Sequence, residues 1–170
     1  MPTKLSILVF VASPLDYARY RHTALFFEFS PQADAENHSQ KDQYRDQDPN
    51  PATEYIKSSV MEVIGSPGFL SFAERKNWDL PISSTDLARV VPIATLSDNI
   101  PISQLRATVS ETPIRDRDGD RDWNSQNWVG EALGRLVTAG YLDAGVMDRG
   151  LDAMVDAVME AEDEEIFVER

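Results

Sequence analysis

Cysteine is absent from this chain, so neither a structural disulfide nor a zinc–thiolate site can be built from it. Histidine is scarce, with two residues in 170, which leaves too little material for a histidine-based metal site, and no metal or cofactor is expected. Positive charge is also in deficit. The net charge is −13 and the isoelectric point about 4.4, which argues against a nucleic-acid partner, because phosphate binding needs a cationic surface. It argues equally against adhesion to an anionic membrane. Long apolar runs are missing too. Leu5–Ala12 (LSILVFVA) follows Lys4 like a short signal sequence but is far too short to span a bilayer. Its β-branched content and the Pro14 that follows favour a buried strand instead. With no spanning segment and no cysteine, a cytoplasmic protein is the expectation.

What is present describes one ordinary domain over residues 1–170, with a hydrophobic content of 42% that suits a real core. Lys4–Ala12 reads as a strand buried on both faces, and Ser13-Pro14 ends it. His22–Phe29 (HTALFFEF) reads as a second strand, with His22, Ala24, Phe26 and Glu28 on one face and Thr23, Leu25, Phe27 and Phe29 on the other. Residues 31–53 are polar and almost free of aliphatic side chains, a mobile insertion at the tip of a hairpin. Tyr55–Ile64 is the third strand, closed by Gly65-Ser66-Pro67-Gly68. Phe69–Trp78 reads as a short irregular or helical piece. Leu87–Ala94 is the fourth strand, and its Pro92 points to a sheet edge or strand end. Helices are expected at Pro101–Val109, Asp122–Ala139 and Met147–Ala161. The middle one carries an apolar stripe of Trp128, Val129, Ala132, Leu133, Leu136 and Val137 and stops at Gly140. The last one gathers Leu151, Met154, Val155 and Val158 on one face. Residues 162–170 form a charged tail. Strands followed by helices predict an α+β fold, an antiparallel sheet packed against helices.

Chemistry is concentrated in Asp122–Val129 (DWNSQNWV). Ser125 falls in the first turn of its helix, where backbone N–H groups lack partners and the dipole favours negative charge. It precedes Trp128 and Val129 by three and four residues, so its hydroxyl faces the sheet. One reading is a helix cap, in which Asn124 or Ser125 satisfies first-turn N–H groups. The other is a nucleophile beside an oxyanion site. His22 offers the same choice between a half-buried histidine bonded to a carbonyl and a general base. A nucleophile–histidine pair needs a third group to fix the ring tautomer, and Glu62, on the neighbouring strand, is the candidate. Glu28 shares the face of His22 but lies too far along it, and His38 reads as surface decoration in the insertion. Tyr17, Tyr20, Trp123, Asn124 and Gln126 are candidate substrate-binding residues, and Trp128 is either pocket wall or core.

Three motifs are set aside. Asp116–Asp122 alternates carboxylates like a calcium loop, yet Arg121 occupies the obligatory glycine position and Asn127 the twelfth. Gly65-Ser66-Pro67-Gly68 lacks the lysine of a phosphate loop. No G-x-S-x-G elbow occurs, against an ordinary α/β-hydrolase.

The strand-borne histidine in R-H-x-A-L-F, the following strand ending V-I-G-x-P-G and the later W-N-S-Q-N-W-V helix resemble circularly permuted papain-like proteins. These are the NlpC/P60 and lecithin–retinol acyltransferase type, together with small fungal proteins of similar layout. The resemblance covers about residues 4–140. It implies acyl transfer from an amide or ester of a small molecule or peptide, with residue 125 as nucleophile and His22 as base. Glu62 falls near the third, polar position. The family carries cysteine where this chain carries Ser125, and an alcohol does not ionise near neutrality as a thiol can. Ser125 therefore stands for an introduced replacement of cysteine, for a pseudoenzyme that keeps the pocket for binding or interaction, or for a true serine nucleophile.

Overall fold

The computed structural model describes residues 2–30, 56–80, 86–115 and 122–161. The insertion at 31–53, His38, most of the Asp116–Asp122 loop and the tail at 162–170 lie outside the described residues. The fold is α+β: five antiparallel strands with three helices against them. The strands are β1 (Thr3–Phe10), β2 (His22–Phe29), β3 (Ser58–Ile64), β4 (Ser71–Lys76) and β5 (Leu87–Leu96), ordered β4-β3-β2-β1-β5. The helices are α1 (Ile102–Ser110), α2 (Ser125–Thr138) and α3 (Ala144–Met159), and a short 3₁₀ turn at Ala18–Tyr20 precedes β2.

The centre of the sheet follows from apolar content. β1 and β2 are apolar on both faces and take inner positions, each with hydrogen-bonded neighbours on both sides. Leu5, Ile7, Val9, Leu25, Phe27, Phe29, Met61 and Val63 point to one face. There they pack with Leu105, Trp128, Val129, Leu133, Leu136 and Met154 from the helices. The opposite face carries a smaller cluster of Leu8, Ala24, Phe26 and Val60, flanked by Phe10 and Trp78. β5 is an edge strand, and its Pro92 pairs with Ser6 at a shift of register, where the missing N–H is tolerated.

The segment Phe69–Trp78 is corrected from irregular or helical to a strand. β4 pairs with β3 from Ser59–Lys76 to Ile64–Ser71. Its Ala-Glu-Arg-Lys run carries little strand propensity of its own. The open edge of β3 and the tight turn at Gly65–Gly68 supply the order instead. Gly65 has φ +124°, and a Cβ there would stand 2.5 Å from the Phe69 carbonyl oxygen, so only glycine fits. α3 begins at Ala144, not Met147, because the Asp143 side chain accepts from Val146 N–H at 3.1 Å and caps the helix one turn earlier. On its surface Met154, Ala157 and Val158 are buried, whereas Val155 is exposed. α2 ends as its sequence predicts. Gly140 has φ +75°, and Tyr141 N–H donates to the Leu136 carbonyl at 2.9 Å, a Schellman closure. Among the described residues no helix is long and apolar enough to cross a membrane.

Candidate functional site: a cleft at the open end of β2 and β3

The ladder between β2 and β3 stops at Leu25–Met61. Beyond it the strands part, and a cleft of about 590 Å³ opens at the end of the sheet. His22, Glu62, Trp123, Asn124 and Ser125 all line it, as do Arg19, Tyr20, Arg21, Ile64, Leu70 and Arg75.

The wall preceding β2 is held from three sides. Asp16 accepts from Ala12 N–H at 3.0 Å and from Arg21 Nε at 2.8 Å. Arg21 Nη1 donates to the Ala157 carbonyl of α3, and its side chain is buried. The Arg21 hydrogen bond holds the Asp16 carboxyl below its usual range, outweighing the cost of burial. Gln126 Nε2 donates to the Ala18 and Arg21 carbonyls, both at 3.1 Å. Gln126 therefore braces the start of α2 against the 3₁₀ turn and does not line the cleft. Tyr17 does not line it either; its ring packs on Tyr20 at 6.1 Å. Trp128 is fully buried core.

Asn124 is the N-cap of α2. Its side chain accepts from Gln126 N–H at 2.8 Å, and the Asn127 side chain accepts from Asn124 N–H at 3.0 Å, a reciprocal capping box. Asn124 thus takes up the Gln126 and Asn127 N–H groups of the first turn. Ser125 is the first residue of the helix and is 8% exposed. Its Oγ accepts from Thr23 N–H at 3.1 Å, and Thr23 Oγ1 lies 3.5 Å away. Thr23 is two residues past the end of the β2–β3 ladder, so the hydroxyl supplies the acceptor that the missing ladder does not.

His22 belongs to the other side of the strand. Its neighbour Thr23 turns to the helices, whereas His22 lies on the face of Phe10, at 5.8 Å between ring centroids. His22 Nε2 is 2.7 Å from Glu62 Oε2. Glu62 is almost fully buried and also accepts from Arg75 Nε at 2.9 Å. Burial pushes the Glu62 carboxyl up, but the hydrogen bond from His22 and the charges of His22 and Arg75 outweigh it and hold the group below its ordinary value. An ionised Glu62 accepts, so His22 Nε2–H is the donor of this pair. Among the described residues Nδ1 has no hydrogen-bond partner, and none joins His22 to Ser125. The fold thus brings His22 and Glu62 together and sets Ser125 in the same cleft on a different partner.

Arg75 was not singled out from the sequence. Its segment carries no strand signature, and only the pairing of β4 with β3 places its guanidinium at Glu62. The guanidinium also lies over the Trp78 ring at 5.1 Å. No group of three or more metal-ligating side chains converges among the described residues. No family model matches this chain, and no curated protein or solved structure matches it.

Proposed function

We propose that this chain is a hydrolase- or acyltransferase-like scaffold of the permuted papain type whose cleft serves binding, not covalent catalysis. One observation carries the reading: the Ser125 hydroxyl is engaged by the main chain of β2, while His22 is engaged by Glu62. A serine nucleophile needs a base within hydrogen-bond reach and donors aimed at the developing oxyanion. Here no hydrogen bond joins His22 to Ser125 among the described residues, and the Asn124 cap takes up the Gln126 and Asn127 N–H groups. The ligand on this reading is a small molecule or peptide of amide, ester or related type, and the protein works in the cytoplasm.

A second reading, acyl transfer through residue 125 as cysteine, draws on the unpartnered Nδ1 of His22, whose ring Glu62 orients as a third catalytic group does. Alkylation of Ser125→Cys against pH, with and without His22→Ala, separates the two. The binding reading expects a thiol that titrates near the ordinary value of about 8.5, whether or not His22 is present. A thiolate that reacts rapidly below neutrality and loses that reactivity with His22→Ala overturns it in favour of catalysis.

A further inference from the structure

We infer that the outer edge of β4 docks an extended segment of a partner protein, acidic at its N-terminal end and apolar at its C-terminal end, which adds to the sheet as a further strand. The sheet has two edges, β4 and β5, and they differ in how they meet an added strand. β5 carries Pro92 and shifts register twice against β1, devices that keep an edge from pairing. β4 pairs with β3 continuously from Ser59–Lys76 to Ile64–Ser71, without a shift. Just beyond, Asn77 N–H donates to the Ser58 carbonyl at 2.8 Å. Hydrogen-bonded and non-bonded positions alternate along an antiparallel pair, so the odd-numbered residues of β4 turn their main chain toward β3. Phe72, Glu74 and Lys76 turn theirs outward, and among the described residues no hydrogen bond takes up those N–H and C=O groups.

The edge is held ready from both faces. On the helix side Phe72 packs on Trp128 at 6.0 Å between ring centroids, and Glu74 accepts from Ser59 Oγ and Arg106 Nε, both at 2.7 Å. On the other face Glu62 and the Trp78 ring fix Arg75. A strand pinned in this way loses little freedom when a partner pairs with it. The two ends of the edge set the chemistry of that partner. At the C-terminal end Lys57 and Lys76 are exposed, and neither is in an ion pair among the described residues. The acids nearby are Glu74, which Arg106 already pairs, and the exposed Asp79. At the N-terminal end Phe69 is 85% exposed. Every pair in this sheet is antiparallel. An added antiparallel strand places its first residues at Lys76 and its last at Phe69, so acid first and apolar last is the order that matches. Against a net charge of −13, the two lysines give an acidic segment its point of approach.

The test titrates the full chain with the peptide fluorescein-EEVTVF-amide and reads fluorescence anisotropy. Its control is the same peptide methylated at alternate main-chain nitrogens, which keeps the side chains and removes the strand donors. The expected result is saturable binding that N-methylation weakens by at least about tenfold. Lys76→Glu and Phe69→Ser each weaken it by about threefold or more, and thermal melts establish that both variants are folded. Hydrogen exchange on the unmutated chain supplies a second readout. Bound peptide slows exchange at the Phe72, Glu74 and Lys76 amides and leaves the Ala73 and Arg75 amides, already turned to β3, unchanged. Equal binding of the methylated peptide, no saturable binding in the millimolar range, or outward amides that exchange as fast with peptide as without overturns the inference. Sedimentation of the chain alone examines the other occupant. A monomer is expected; a dimer that Lys76→Pro dissociates, by removing an outward N–H, gives the edge to a second copy and overturns the partner assigned here. None of these measurements involves a thiol at position 125, so failure at this edge leaves the binding reading of the cleft standing.

Discussion

Ser125→Ala separates a serine that holds the fold from a serine that exists to react. In the structure the Ser125 oxygen accepts from the Thr23 main-chain N–H at 3.1 Å, at a residue only 8% exposed. Deleting the oxygen strands a buried donor, which costs about 1–3 kcal/mol. Alanine at this helical position returns at most about 0.5 kcal/mol through propensity. A net loss of about 1–2 kcal/mol follows, and at about 2–4 °C per kcal/mol for a chain of this size the melting temperature falls by roughly 2–8 °C. Ser125→Cys, a weaker acceptor, falls between alanine and the wild type. The assay is urea unfolding followed by circular dichroism, with the midpoint shifting at constant m. A residue kept only for its reactivity is removed at no cost, or with a gain in stability. A Ser125→Ala chain as stable as the wild type, or more so, refutes the structural role assigned here.

Three further outcomes follow from the same structure. Asn124→Ala removes the acceptor of the capping box and costs about 1 kcal/mol, read as a lower urea midpoint. Asp16, Glu62 and Glu74 all have carboxyls held below their ordinary values; for Glu74, burial pushes up and the hydrogen bonds from Arg106 and Ser59 outweigh it. Depressed carboxyls contribute stability that is present above the unfolded-state values and lost as pH falls through the folded ones. Urea midpoints should therefore drop below about pH 5, and Glu74→Gln should flatten that slope. A Cβ at Gly150 would stand 2.3 Å from Ile93 Cδ1, the free end of that side chain; overpacking of about 1–3 kcal/mol is offset by about 1 kcal/mol of helix propensity, so Gly150→Ala should cost at most about 2 kcal/mol. Ile93→Val, which deletes that methyl, should recover much of the loss in a double-mutant cycle.

Most of the scaffold was legible because its signals are local. β1 and β2 announce themselves by apolar content, and α2 by a stripe that ends at a glycine. Pro92 marked an edge because a missing N–H has the same meaning in any sheet. The pairing of β2 with β3 was legible from their spacing. β4 was not, since Ala73–Lys76 reads by propensity as helix and only a neighbouring strand edge makes it extended. The cleft was half legible for the same reason. His22 and Glu62 sit on adjacent strands whose register brings them together. The partner of Ser125 depends on where a ladder stops, which no local pattern encodes. Gln126 looked like a cleft residue because it flanks Ser125, yet one step around a helix is about 100°, and that turn carries its amide onto the Ala18 and Arg21 carbonyls.

The position of β1 has a consequence for how the chain is made. β1 leaves the ribosome before both of its neighbours, yet it lies between them, β2 on one side and β5 on the other. One of its edges is covered as soon as the adjacent hairpin closes. The other waits until Leu87–Leu96 has been synthesised. During that interval an apolar strand presents bare N–H and C=O groups to the cell, the state in which nascent sheets cross-associate. A chain that stops before β5 keeps this edge permanently and aggregates, even though every residue of the cleft contributed by β2, β3 and β4 is already present.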